Sequence, residues 1–128
     1  MLDYNYIVYS KWSASTSGEA EQIVAKFIKE GHVLDGIFAA NDSLALGAVH
    51  AVMKAGKKIP EEIKIAGFDN SMYAQSMLPS ITSVDRRLDE LAEKGCQTML
   101  NMINGQEIKE DTIMVPVELV VRESSCSE

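Results

Sequence analysis

IKIAGFDN, at residues 63–70, is an apolar, strand-forming run that stops at two polar residues, Asp69 and Asn70. A similar run, GIFAAND at residues 36–42, also ends in an amide and a carboxylic acid. A helix-like segment separates the two runs, and this alternation is typical of βαβ units around a parallel sheet. The sequence therefore predicts an α/β fold with polar side chains at the ends of its strands.

Strand and helix patterns continue along the rest of the chain. We expect strands at residues 6–9, 36–40, 63–68 and 112–121. We expect three helices: one capped by Ser17 and closed by Gly31, one capped by Asp42 or Ser43 and closed by Gly56, and one from about Asp85 to Asn104. Pro116 cannot donate a hydrogen bond to a neighbouring strand, so the last strand is predicted to lie at a sheet edge or to be interrupted there.

Composition narrows the class of protein. The chain has 128 residues, of which 46% are hydrophobic, as expected for one globular domain. Its net charge of −7 argues against a nucleic-acid-binding surface on this part of the chain. No apolar run is long enough to span a bilayer, and no signal-peptide pattern follows Met1. Cys96 and Cys126 lack metal-ligand spacing, and we interpret them as reduced thiols of a cytoplasmic protein.

Polar residues that directly follow the predicted strands are candidate ligand contacts. In an open parallel sheet, ligands bind beyond the carboxyl ends of the strands. Carboxylates and amides exchange hydrogen bonds with hydroxyl groups, and an indole covers the C–H face of a sugar ring. A polyhydroxylated ligand would therefore suit the candidate set, which is Ser10, Lys11, Trp12, Asn41, Asp42, Asp69 and Asn70.

Several of these residues also have a purely structural interpretation. Asp42 directly precedes an apolar helical pattern, so we expect it to be a helix N-cap. Asn41 is equally suited to a turn, and Asp69 with Asn70 to an Asx-turn. Trp12, the only tryptophan, is equally suited to packing in the core or at an edge.

Signals for enzyme chemistry are lacking. The sequence contains no Gly-x-Gly-x-x-Gly or Walker phosphate loop and no Gly-x-Ser-x-Gly nucleophile elbow. His32 and His50 have no cysteine or carboxylate partner at metal-ligand spacing. We therefore predict a ligand-binding protein that is not an enzyme and that has no metal or cofactor.

The stretch DGIFAANDSLALGAVHAVMKAGKKIPEEIKIAGFDNSMYAQSMLPSITSVD, residues 35–85, resembles the ligand-sensing domain of the lac-repressor/galactose-repressor (LacI/GalR) family of bacterial transcription regulators. The similarity continues through GCQTMLNMING, residues 95–105, and VPVELVVRESS, residues 115–125. WSASTSG, residues 12–18, resembles the family more loosely. The resemblance implies the C-terminal part of a type I periplasmic-binding-protein-like fold.

The resemblance also implies a ligand and partners. It implies that Asn41 and Asp69 contact a small-molecule effector, a sugar or sugar phosphate. Trp12 occupies a position that often contacts the ligand, and Asn70 belongs to the same strand end as Asp69. The implied assembly is a homodimer that binds operator DNA only through an N-terminal helix-turn-helix absent from this sequence. A sugar-binding protein of a periplasmic transport system, which shares the fold, is the alternative.

The resemblance divides the chain into a βαβαβ effector-binding subdomain at residues 1–80, a crossover helix at 81–111, and a return strand and tail at 112–128. In the family, the crossover helix packs on a first subdomain that this sequence lacks. Its apolar stripe is therefore expected to be uncovered, so that the isolated chain dimerises or exchanges this helix between copies. The stripe consists of Leu88, Leu91, Ala92, Met99 and Ile103.

Overall fold

A computed structural model describes residue 8, residues 16–108 and residues 112–126. This part of the chain forms, in order, α1 (Ser17–Lys29), β1 (Gly36–Phe38), α2 (Asp42–Lys54), β2 (Lys64–Phe68), α3 (Met72–Ser76), β3 (Thr82–Asp85), α4 (Leu88–Ile103) and β4 (Glu118–Val120). Apart from Val8, the strand predicted at residues 6–9 lies outside the described residues.

The four strands form one sheet in the order β1-β2-β3-β4. β1 pairs in parallel with β2, and β2 in parallel with β3, so the predicted α/β class is confirmed. β4 pairs antiparallel with β3 and is the last strand of the described sheet. Its place at the end of the strand order confirms the prediction of an edge strand, but it covers only Glu118–Val120 and not the predicted 112–121.

The core lies between α2 and the sheet. Ile65 in β2 and Val49 and Val52 in α2 have no accessible surface. α1 packs against α2 at Gly47. A Cβ atom at Gly47 would overlap the backbone carbonyl of Ser17 and would lie 2.9 Å from the Cβ of Ala20. The absence of a side chain at this glycine therefore sets the distance between the two helices.

The helix starts differ from the predictions. Thr16, and not Ser17, caps α1, and its hydroxyl oxygen accepts a hydrogen bond from the N–H of Glu19 at 3.3 Å. Asn41 caps α2, so the prediction of Asp42 or Ser43 as the N-cap is wrong. The physical reason is that the carboxylate of Asp42 points away from its own helix end and into the core.

β3 is not among the strands that the sequence predicts, because residues 82–85 fall within the predicted crossover-helix segment at 81–111. Thr82 and Ser83 are nevertheless buried in the sheet. Their partner is the C-terminal segment, in which Ser124 bridges the first residues of β2 and β3. The Ser124 hydroxyl accepts from the N–H of Thr82 at 2.9 Å and donates to the carbonyl of Ile65 at 2.6 Å. The Ile65 N–H in turn donates to the Ser124 carbonyl at 2.8 Å.

α4 begins at Leu88, later than the predicted Asp85, because Asp85 still pairs with β4. None of its residues is buried by the described part of the chain. The predicted apolar stripe is uncovered, with Met99 and Ile103 63% and 73% exposed. The proposed division at residue 80 stays a prediction, although β3 shares its sheet with the elements before that residue. No described helix is both long and apolar enough to cross a bilayer.

Candidate functional site

The ends of β1 and β2 place two of the predicted site residues on one rim of the sheet. β1 and β2 are parallel neighbours, and their pairing extends to Ala39, whose N–H donates to the carbonyl of Ala66 at 2.8 Å. Asn41 follows β1, and Asp69 and Asn70 follow β2 directly. The rim predicted from the strand pattern is therefore present, while Trp12, with Ser10 and Lys11, lies outside the described residues.

Asn41 uses only one half of its side chain to cap α2. Its Oδ1 accepts a hydrogen bond from the N–H of Leu44 at 2.8 Å, in the extended conformation that is typical of an N-cap. The Nδ2 amide has no hydrogen-bond partner among the described residues. Because the cap fixes the side chain, the free amide donor is held in one orientation at the rim.

Asp69 is held in a strained backbone conformation at the end of β2. Its φ is +106° and that of Asn70 is +50°, in the left-handed region that residues with a Cβ atom rarely adopt. Such conformations cost about 1–3 kcal/mol each and persist where surrounding contacts enforce them. Asp69 Oδ1 pairs with Nε of Arg86 at 2.9 Å, and Arg86 lies over the ring of Phe68. This arrangement leaves Asp69 Oδ2 as an acceptor without a partner among the described residues.

Asn70 has both side-chain polar atoms occupied. Its Nδ2 donates to Asp85 Oδ2 at 2.9 Å, and its Oδ1 accepts from Nη2 of Arg122 at 2.6 Å. A ligand contact through this amide would have to displace one of these partners. The observed bonds connect the end of β2 to β3 and to the C-terminal segment. The ligand-contact role of Asn70 stays a prediction.

A solvent-open cavity of about 410 Å³ lies beside Asp69 and Asn70, and its other wall is formed by Asp85 and residues 87–90. The Arg87 N–H bonded to Asp85, followed by the Asn70 amide, holds the pKa of that carboxyl below its usual range. A hydrogen bond from Lys94 lowers the pKa of Glu90. Four carboxylates and one guanidinium line the cavity, and Asp69 and Glu90 are already ion-paired, so the lining suits a neutral hydroxyl-bearing ligand better than an anionic one.

Sequence reasoning did not predict the buried polar network beneath the rim, in which Asp42 is neither an exposed ligand contact nor an N-cap. Asp42, which is 1% exposed, accepts from the Ser83 hydroxyl and from the Ser71 N–H, both at 2.6 Å. Arg122 was also missed, although it binds both Asn70 and the Ile81 carbonyl. The only sequence signal for these contacts was a polar residue within an otherwise buried segment. The partners are far away in the sequence, since Ser83 is 41 residues from Asp42 and Ile81 is 41 residues from Arg122. In residues 8, 16–108 and 112–126, no three His, Cys, Asp or Glu side chains are grouped to hold a metal ion.

Comparison with known proteins agrees with this geometry. The family model of the periplasmic binding protein-like domain matches residues 3–125. The chain belongs to this family. Periplasmic-binding-protein-like domains have a mixed α/β structure with a mostly parallel open sheet, as β1 to β3 show here. The curated relatives of this periplasmic-binding-protein-like domain are repressors and operon regulators, so the resemblance to the LacI/GalR family is confirmed.

Three similar proteins illustrate the match. The NTD biosynthesis operon regulator NtdR of Bacillus subtilis is 32% identical over 98% of this chain and 39% of its own. The lac repressor dimer bound to operator and the anti-inducer ONPF has 25% identity and a TM-score of 0.79, covering 88% of this chain and 39% of that one. A LacI family regulator from Arthrobacter sp. FB24 in complex with lactose has 25% identity and a TM-score of 0.80, covering 86% and 42%. This chain thus spans about two fifths of the length of each of the three proteins.

Proposed function

We propose that this domain senses a small-molecule effector, a sugar or sugar phosphate with the uncharged sugar favoured, for a LacI-type transcription regulator. The observation that carries the proposal is the rim at the ends of β1 and β2. Among the described residues, the Asn41 amide nitrogen and Asp69 Oδ2 have no partner, so they offer a donor and an acceptor at the rim. One such donor and one such acceptor on a rigid sheet edge match the alternating donor and acceptor character of sugar hydroxyls.

The relatives support a regulatory role rather than the transport alternative. NtdR is an operon regulator, the lac repressor structure contains operator DNA, and the Arthrobacter regulator contains lactose. An acidic chain with net charge −7 is unsuited to contact phosphates itself. Operator DNA would therefore be bound by a helix-turn-helix outside these residues, in a cytoplasmic protein that catalyses no reaction on its ligand.

The proposed mechanism is a shift between conformational states. An effector that binds the rim of this domain and a facing subdomain favours the closed arrangement of the two. A ligand shifts such an equilibrium only by its difference in affinity for the two states. Effector and operator binding are then coupled reciprocally, with Asn41 and Asp69 supplying part of the difference in affinity.

Asp69→Asn is expected to weaken sugar binding by about 10-fold or more. The amide replaces a charged acceptor, and hydrogen bonds to charged groups contribute about 1.5–3 kcal/mol. The measurement is a titration of the ¹⁵N-labelled chain with lactose and ribose at millimolar concentrations, followed through amide chemical shifts. Asp35→Asn, which makes the same charge change at the opposite end of β1, is the control. Because the facing subdomain is outside this sequence, binding is expected to be weak, and sugar-dependent shifts that bypass residues 41 and 69 would contradict the proposed function.

We also propose that the chain forms a homodimer, supported by the dimeric lac repressor and by the uncovered stripe of α4. Exposed apolar surface of this kind favours association. Light scattering across the micromolar range is expected to show a dimer for the wild type. The double variant Met99→Lys with Ile103→Lys is expected to show a monomer, because two charged side chains on the stripe disfavour its burial. Both native side chains are exposed, so the substitutions need no repacking of the fold. A wild type that stays monomeric throughout this range would refute the proposal.

A further inference from the structure

One buried carboxylate holds the backbone of the strained turn at the rim. Asp42 Oδ2 accepts directly from the N–H of Ser71 at 2.6 Å. Asp42 Oδ1 accepts from the Ser83 hydroxyl at 2.6 Å, and that same hydroxyl oxygen accepts from the N–H of Asn70 at 3.0 Å. The two amides that follow Asp69 are therefore fixed by Asp42, one directly and one through Ser83.

The usual structural reason for an aspartate at this position does not apply. An aspartate at a helix start normally caps the helix, but Asn41 caps α2 here. Asp42 is instead almost fully buried, and Gly67 in β2 leaves room for its carboxylate. A Cβ atom at Gly67 would overlap Asp42 Oδ1. A buried carboxylate is costly unless it is hydrogen-bonded, and both of its oxygens are used at the turn.

The turn needs these contacts, because two consecutive residues with side chains, Asp69 and Asn70, have positive φ. Strained backbone of this kind relaxes when the groups that enforce it are removed. Relaxation would rotate the peptide planes at Asn70 and would move the carboxylate of Asp69 away from Arg86. Asp42 therefore determines the direction of a side chain that it does not contact.

We propose that Asp42 is a positioning residue for the effector site, which holds the Asp69–Asn70 turn and so orients the Asp69 carboxylate towards the ligand. The inference rests on the proposed function for its ligand, but the positioning itself is a property of the free protein. Ser83 acts as the relay between Asp42 and Asn70.

The test is residue-specific amide hydrogen exchange in Asp42→Asn and Ser83→Ala, compared with wild type and with Asp35→Asn. In Asp42→Asn, exchange at Asn70 and Ser71 is expected to accelerate at least about 10-fold more than at Ile65. In Ser83→Ala, exchange at Asn70 is expected to accelerate, while Ser71 keeps its direct bond to Asp42 and changes much less. If Asp42→Asn does not fold, the difference between Asn70 and Ser71 exchange in Ser83→Ala still decides the question.

Two further readouts separate positioning from general stabilisation. The ¹³C chemical shift of the Asp69 carboxyl carbon is expected to change in Asp42→Asn and to stay constant in Asp35→Asn. Lactose affinity is expected to fall about 10-fold in Asp42→Asn. A uniform acceleration of exchange at Ile65, Asn70 and Ser71, or an unchanged Asp69 signal, would overturn the inference. If lactose-dependent shifts bypass residues 41 and 69, the proposed function fails separately, and the exchange pattern with the Asp69 signal still decides whether Asp42 positions the turn.

Discussion

Ile65→Ala is expected to lower the free energy of unfolding by about 3 kcal/mol, within the range for truncating a buried isoleucine. Ile65 lies on β2 between two other strands and has no accessible surface. Its neighbours Val49 and Val52 belong to a helix already packed tightly against α1, so the cavity cannot collapse easily. Urea unfolding followed by circular dichroism measures the change as a lower midpoint with an unchanged slope.

Val33→Ala is the control for this experiment. Val33 follows α1 and is 79% exposed, so its truncation is expected to change the free energy of unfolding by less than about 0.5 kcal/mol. Equal losses at Ile65 and Val33 would mean that β2 is not at the centre of the core. A changed urea slope in the Ile65 variant alone would indicate an altered unfolded or native state rather than a simple cavity.

Gly47→Ala and Gly95→Ala are expected to change stability in opposite directions. Alanine is favoured over glycine in a helix interior by about 1 kcal/mol, and both glycines lie inside helices. At Gly95 the added methyl group meets no atom within 4 Å, so the variant is expected to be more stable by up to about 1 kcal/mol. At Gly47 it would overlap the Ser17 carbonyl, which belongs to the backbone and cannot rotate away.

Overpacking of this kind costs about 1–3 kcal/mol, so Gly47→Ala is expected to lower the stability on balance, despite the better helix propensity of alanine. The same urea experiment measures both variants, and amide exchange in α1 locates the effect. Faster exchange throughout α1 is expected for Gly47→Ala, because α1 must move away from α2. A stabilised Gly47 variant would show that the two helices are not in the close contact described here.

The hydrophobic pattern was sufficient to predict the elements that form the core. β1, β2, α1 and α2 follow apolar periodicity, and Gly31 and Gly56 at their predicted helix ends do have positive φ. The position of Asn41 and Asp69 on one rim could be predicted, because polar residues at the ends of parallel strands meet at one edge, while their contact with a ligand stays a prediction. This argument needs only the order of the strands and no knowledge of side-chain partners.

The residues that the sequence could not predict depend on distant partners. β3 contains Thr82 and Ser83, whose burial is favourable only because Ser124 and Asp42 bind them. The choice between Asn41 and Asp42 as N-cap could not be made locally, since either side chain can cap a helix. It is decided by Ser71 and Ser83, which draw the carboxylate of Asp42 into the core.

The bridge made by Ser124 has a consequence for folding during synthesis. Ser124 completes the hydrogen bonding at the start of β2, yet it follows Ile65 by 59 residues. At about 5–20 residues per second, a ribosome needs about 3–12 s to add that stretch. Once β3 has also been made, the nascent sheet still lacks this bridge between β2 and β3 until Ser124 follows, and pairing with another chain is possible there. The interval before Ser124 emerges is therefore the period in which a newly made chain most needs protection from its neighbours.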